Sequence, residues 1–326
     1  MVYRTFGLVI GVSALIGACT PDSGPPASTP AAAPTPPAAA PAAIPDSIRA
    51  ARGGFLPEGI EYDTDNARLL TGSLAEGSIF RIGADGSVTA VIEDSDLRSS
   101  VGIEVDEDRD RLLVTNSDAA VFQGQSKGQA KLGVYNLNTG ERLAMVDLGA
   151  TVGAGPDASF FANDVTVGDD GAIYVTDTMQ NVIYRVGTDY QASVFYKFIP
   201  TGEGFAVNGI VYGPGDYLLV AESGGGRIYK VPVADPASTS QVTLPEPVAG
   251  ADGLTWMAGG RLAAVLNSSS RVVALTSNDD WASAQVAGVA TFEGQATTGA
   301  TVGNEFYVVQ PHFADADPPM ILRAAF

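Results

Sequence analysis

Glu58-Gly59-Ile60, Val101-Gly102-Ile103, Asn163-Asp164-Val165, Asn208-Gly209-Ile210, Asp252-Gly253-Leu254 and Thr298-Gly299-Ala300 are six versions of one phrase. Successive openings lie 43, 62, 45, 44 and 46 residues apart. Four near-equal steps and one long one describe a repeated supersecondary unit with a single insertion. After each opening comes a short alternating run, then a turn such as Asp63-Thr-Asp-Asn66 or Gly213-Pro-Gly215. A second run follows, for example Arg68-Leu-Leu-Thr71 and Ala172-Ile-Tyr-Val-Thr176, then a third, such as Val182-Ile-Tyr-Arg185. Most repeats show a fourth, as in Val88-Thr-Ala-Val-Ile92. β-Branched and aromatic runs of strand length, punctuated by Gly, Asp, Asn and Pro, predict strands.

Four antiparallel strands in about 45 residues predict a propeller blade, and six such units predict an all-β, six-bladed β-propeller. The last unit ends at Phe326 after its third strand, so the missing fourth is expected from residues 47–55. Joining the chain ends in one blade closes the ring and removes an exposed edge. The insertion is expected between Ser117 and Lys131, or around Gly149 to Ser159.

Residues 1–18 read as a lipoprotein signal peptide, with Arg4 as the positive region, Phe6 to Ile16 as the apolar stretch and Ile16-Gly-Ala-Cys19 as the cleavage box. The apolar run is short for a membrane span. Cys19 is the sole cysteine, which excludes an intramolecular disulfide and makes it the expected lipidation site. Residues 19–45 then form an Ala/Pro-rich tether, extended and semi-rigid. Thr20, rather than Asp, follows that cysteine, which resembles the outer-membrane default and places the propeller, residues 46–326, in the periplasm. A net charge of −19 argues against nucleic acid and anionic lipid as partners, leaving a lipid anchor as the only membrane contact. Nothing in the sequence requires more than a monomer.

Equivalent positions of propeller blades form a ring around the central tunnel. Glu58, Asn163, Asn208 and Asp252 would therefore face one centre with two carboxylates and two amide oxygens. An all-oxygen set suits a hard divalent cation, Ca²⁺ foremost, with Mg²⁺, Mn²⁺ or Zn²⁺ as alternatives. Val101 breaks the ring and Thr298 offers only a hydroxyl, so these positions are expected to line an apolar or open part of a substrate site. Asn-Gly and Asp-Gly are also common turn pairs, and six repeated turns are the competing reading. The far ends of the second strands, Ser73, Ser117, Asp177, Glu222, Asn267 and Gln310, return to the same face. All six are polar, as expected of groups that orient ligands or line a cleft.

The segments Pro57-Glu-Gly-Ile-Glu-Tyr-Asp63, Phe161-Ala-Asn-Asp-Val165, Val207-Asn-Gly-Ile210 and Ala251-Asp-Gly-Leu254 together resemble the SMP-30/gluconolactonase/LRE family over residues 50–326. More distantly they resemble paraoxonases and strictosidine-synthase-like propellers. The resemblance implies a divalent cation in the tunnel held by Glu58, Asn208 and Asp252. It implies Asn163 as a substrate group or further ligand, and Asp252 as the acid/base. The implied activity is lactone or ester hydrolysis; Glu222, on the same face by its register, is the fallback base. Sugar-lactone hydrolases of this family typically carry an arginine where Phe161 stands, so a substrate with an apolar portion is expected instead. His312, the only histidine, is expected to be a loop or packing residue. No Gly-X-Ser-X-Gly elbow occurs. The other functional class is a non-catalytic propeller with a structural cation, binding a ligand or partner.

Overall fold

The computed structural model describes residues 44–202, 204, 206–314 and 317–326. Cys19, the expected signal peptide and most of the expected tether lie outside the described residues. Six antiparallel sheets succeed one another along the chain. Their innermost strands are Ile60–Asp63, Ser99–Asp106, Phe160–Val167, Val207–Gly213, Ala251–Met257 and Gly299–Val302. Each inner strand touches the next, and the sixth touches the first, so the six surround a common axis. This is the six-bladed propeller expected from the repeat. The sixth blade takes its outermost strand from Ser47–Arg49, paired antiparallel to Met320–Arg323. Ion pairs from Arg323 to Asp46 (2.7 Å) and Glu305 (3.0 Å) flank this junction.

Side chains of a strand alternate between two faces, and in a propeller both faces meet a neighbouring blade. That is why the second strands read as nearly continuous apolar runs, such as Leu218-Leu-Val-Ala221, rather than as an alternation. Six apolar clusters result, one at each blade–blade junction. Hydroxyls staple the junctions near the axis. Thr115 Oγ1 donates to the Asn163 carbonyl (2.8 Å) and Thr176 Oγ1 to the Asn208 carbonyl (2.7 Å). The ring is closed by Thr297 Oγ1, which donates to the Glu58 carbonyl (2.7 Å).

The recurrent Asn-Gly and Asp-Gly pairs are not turns. They lie inside inner strands, where the pairing register slips between Ser100 and Ile103, Ala162 and Val165, Val207 and Ile210, and Ala251 and Leu254. A β-bulge of this kind re-aims a side chain, here the first residue of the phrase in blades two to five. The glycine serves close approach. A Cβ on Gly209 would lie 2.4 Å from the Asp252 carbonyl oxygen, and one on Gly253 would lie 2.2 Å from Thr298 Oγ1.

The insertion occupies both expected places. Between the second and third strands of blade two stand a 3₁₀ turn, Ala119–Gln123, and a two-residue strand, Gly128–Gln129. The latter pairs parallel to Phe160 and Phe161, making blade three five-stranded. A second 3₁₀ turn, Gly149–Thr151, lies in the connection to blade three. Among the described residues, no helix is long and apolar enough to cross a membrane.

Candidate metal centre and active site

Three of the four expected ligands are tied together by direct bonds or charge. The Asn208 amide donates to Asp252 Oδ1 (2.8 Å), and the Asn267 amide donates to Asp252 Oδ2 (3.0 Å). Glu58 feels the charge of Asp252 and, more weakly, of Asp164. Asn163 enters from the third inner strand, with its amide nitrogen donating to Thr178 Oγ1 (2.8 Å). The Thr178 hydroxyl in turn donates to the Val207 carbonyl (2.8 Å). Both ring amides thus have their nitrogens engaged with the protein, which fixes the planes in which their oxygens lie.

Protein surrounds these carboxylates on most sides, and each keeps only partial exposure. Burial, followed by the negative charges of Asp252 and Asp164, holds the Glu58 carboxyl well above its ordinary range. Burial pushes Asp252 up to about 7, although the Asn208 and Asn267 amides stabilise its ionised form. Asp164 is likewise pushed up to about 7 by burial, against the N–H groups of Ile210 and Val165 that bond its oxygens. Among the described residues, no Lys or Arg charge contributes to any of the three.

A second tier lies three residues further along each inner strand: Glu61, Glu104, Thr166, Val211, Thr255 and Thr301. All six line a cavity of about 330 Å³ that fills the tunnel below the first ring, with Asp164 between the tiers. Burial and the charge of Asp164 push Glu61 up to about 8, and burial and Glu61 raise Glu104 strongly. Sequence reasoning passed over Glu61, Glu104 and Asp164. Their signal was available, since the repeat register that aligns Glu58 with Val101 also aligns Glu61 with Glu104.

The donor set suits a hard cation. Glu58 and Asp252 supply negative charge without a protein counter-charge, and Asn163 and Asn208 supply neutral oxygens. Among the described residues no three His, Cys, Asp or Glu side chains group together as a metal site. The candidate centre therefore depends on amides as well as acids.

The second-strand residues divide sharply. Asn267 orients Asp252, as expected of that layer. Asp177 does not line the cleft. It is fully buried, accepting from the N–H groups of Phe161, Met179 and Gln180 and from the Tyr184 hydroxyl. Glu222 is equally buried, held by the Gly225 N–H and by Arg227 (2.9 Å), so it is sequestered from the role of fallback base. Ser73, Ser117 and Gln310 donate to backbone carbonyls of loops and neighbouring strands.

Phe161 is only 4 % exposed and packs with Val101 and Val121, Leu74 and Met179 flanking them. It is the floor of an apolar wall, and its surface is covered by Phe122, a residue the sequence did not single out. Val101 is buried in this cluster, while Thr298 lines the tunnel cavity. His312 adopts a left-handed backbone (φ 57°) beside a separate hollow shared with Gln310 and Phe313.

No protein-family model matches the chain, and no curated protein is significantly similar to it. Solved structures are similar in fold. The major allergen Mala s 1 of Malassezia sympodialis superposes with a TM-score of 0.72 at 19 % identity, covering 86 % of this chain and 96 % of that one. A gluconolactonase of Xanthomonas campestris, XC5397, gives 0.61 at 16 % identity, covering 85 % and 89 %. A luciferin-regenerating enzyme gives 0.62 at 12 % identity, covering 86 % and 95 %. At these identities the likeness establishes the propeller, and the expected resemblance to gluconolactonase-like proteins is met at the level of fold.

Proposed function

We propose that this protein is a metal-dependent hydrolase of the cell envelope, acting on a lactone or ester with an apolar portion. The observation that carries the reading is Asp252, fixed at the axis by two amides and raised to about 7, beside Glu58 and two ring amides. A divalent cation, Ca²⁺ foremost, would be held by Glu58, Asn208 and Asp252 with Asn163 alongside. When bound it would polarise the substrate carbonyl and acidify water. Asp252 is the base: either oxygen, aimed by its amide partner, can accept a proton from the attacking water and return it to the leaving alkoxide. Val101, Phe161 and their neighbours exclude water from one side of the ring. A gluconolactonase among the neighbours in fold supports this chemistry.

An N-terminal anchor at Cys19 is compatible with this site. Inner strands run away from the ring and pairing alternates direction, so Ser47 lies at the face opposite the ring. The rival reading, a ligand-binding propeller with a structural cation, draws support from the burial of Glu222 and Asp177, which leaves Asp252 without a second base.

The test is hydrolysis of a lactone and aryl-ester panel before and after chelation, with metal analysis of the purified protein. Chelator-sensitive turnover abolished in Asp252→Asn, with the fold retained, is the expected result. A cation present at saturation at one hundred times its dissociation constant should stabilise the fold by about 2.7 kcal/mol. Turnover at a near-normal rate in Asp252→Asn would remove Asp252 from its role, and binding without turnover of any substrate would favour the rival.

A further inference from the structure

Seven apolar clusters exist among the described residues, and six fill the blade junctions. The seventh joins residues of blades one, two and three at the ring end rather than filling one junction along its length. It sits on the ring face, where Val101 is itself a ring position and Phe161 precedes ring residue Asn163 by two. Leu74 and Met179 approach from blades one and three, and Val121 descends from the 3₁₀ turn Ala119–Gln123. Phe122, the next residue on that turn, meets Phe161 edge-on with centroids 4.7 Å apart, yet stays 60 % exposed.

This turn is built to hold its position. Asp118 caps it through the Ala120 N–H (3.1 Å) and pairs with Arg98, while Gly124 closes it in a left-handed conformation. Ser99 Oγ accepts the Ala119 N–H (3.2 Å). The Gly128–Gln129 pairing to Phe160 and Phe161 ties the far end to the same inner strand that carries Asn163. The chain thus spends its one long insertion on presenting an exposed phenyl ring beside the ring of candidate ligands.

Resting on the hydrolase reading above, we infer that Phe122 determines specificity. It receives the alkyl or aryl substituent of the substrate against the cluster floor, so that the carbonyl sits over the ring. The occupant follows from continuity: exposed Phe122 and half-buried Leu74 and Met179 present apolar surface over buried Phe161 and Val101, and Val101 is itself a ring position. The substrate class is a lactone or ester bearing an unbranched chain or a phenyl group, not a polyhydroxylated one.

The experiment uses the full chain with lactones and p-nitrophenyl esters whose substituents run from methyl to octyl. Each buried methylene should raise kcat/KM about fourfold over the first few members. Phe122→Ser should flatten that rise, lowering the octyl-to-methyl ratio at least tenfold, and Phe122→Leu should restore much of it. An unchanged ratio in Phe122→Ser overturns the inference. A binding arm separates the two readings: the neutral probe N-phenyl-1-naphthylamine is titrated into Asp252→Asn with and without Phe122→Ser. If the probe depends on Phe122 but no ester is hydrolysed, the hydrolase reading falls and the apolar subsite stands. If the probe is indifferent to Phe122, the subsite is wrong whatever the activity.

Discussion

Gly209→Ala separates two accounts of the repeated phrase by the sign of its effect. The φ at Gly209 is one that any residue adopts, so a glycine needed only for an ordinary turn would gain from alanine. Restricting the unfolded chain at a compatible site stabilises by roughly 0.4–1 kcal/mol. The structure demands the opposite. A Cβ there would stand 2.4 Å from the Asp252 carbonyl oxygen and 2.6 Å from the Leu254 nitrogen. Both are backbone atoms of the next inner strand, so no rotamer change relieves the collision, and blades four and five must part at the axis. Overpacking costs 1–3 kcal/mol, and an obstacle made of backbone belongs at about 3 kcal/mol. Unfolding entropy near 2.1 cal/mol/K per residue gives about 0.6 kcal/mol/K for a propeller of roughly 280 residues. The expected drop in Tm is therefore about 5 °C, read by scanning calorimetry. Gly155→Ala, which meets nothing within 4 Å, is the control and should leave Tm within about a degree. A Gly209→Ala variant melting at or above the parent would refute the close-approach argument.

The metal-free protein should lose stability as pH rises, since Glu61 folded is pushed up to about 8 from an ordinary 4.5. A raised carboxyl contributes fully below its unfolded value and is lost as pH climbs through its folded one, so the fall spans about pH 4.5 to 8. Glu61→Gln should flatten that limb by a few kcal/mol in chelator, checked by denaturant midpoints at each pH. Asn267→Ala removes one of the two amides on Asp252 and should cost about 1 kcal/mol of stability. It should lower kcat more than it changes KM; equal loss across both parameters, or none, would deny Asn267 its orienting role. Asp177→Ala leaves buried donors from Phe161, Met179 and Gln180 without an acceptor and should destabilise by about 3 kcal/mol. A variant as stable as the parent would show that this carboxylate is not the anchor of the apolar wall.

Much of this molecule was legible from local signals. Spacing of the six phrases set the blade count, and the punctuated runs placed the strands close to their observed positions, including closure by Ser47–Arg49. The same register predicted that Glu58, Asn208 and Asp252 converge, because equivalent positions of equivalent units face one axis. It would have predicted Glu61 and Glu104 below them by the same logic.

What register cannot say is whether an acidic side chain has lone pairs to spare. Asp177, Glu222 and Asp252 are all carboxylates at or near the ring face. The tertiary structure saturates Asp177 with four donors and binds Glu222 to Arg227, yet leaves Asp252 only two amide partners and a tunnel to face. Likewise, an Asn-Gly pair reads the same whether the glycine serves a turn or admits a neighbouring backbone, and Phe122 reads as one more loop residue. Sequence by itself determined the repeat and where each phrase falls in it, because periodicity is a property of the chain. Only the tertiary structure decided which groups remain available for chemistry, because hydrogen-bond saturation and steric closeness depend on atoms supplied by other strands.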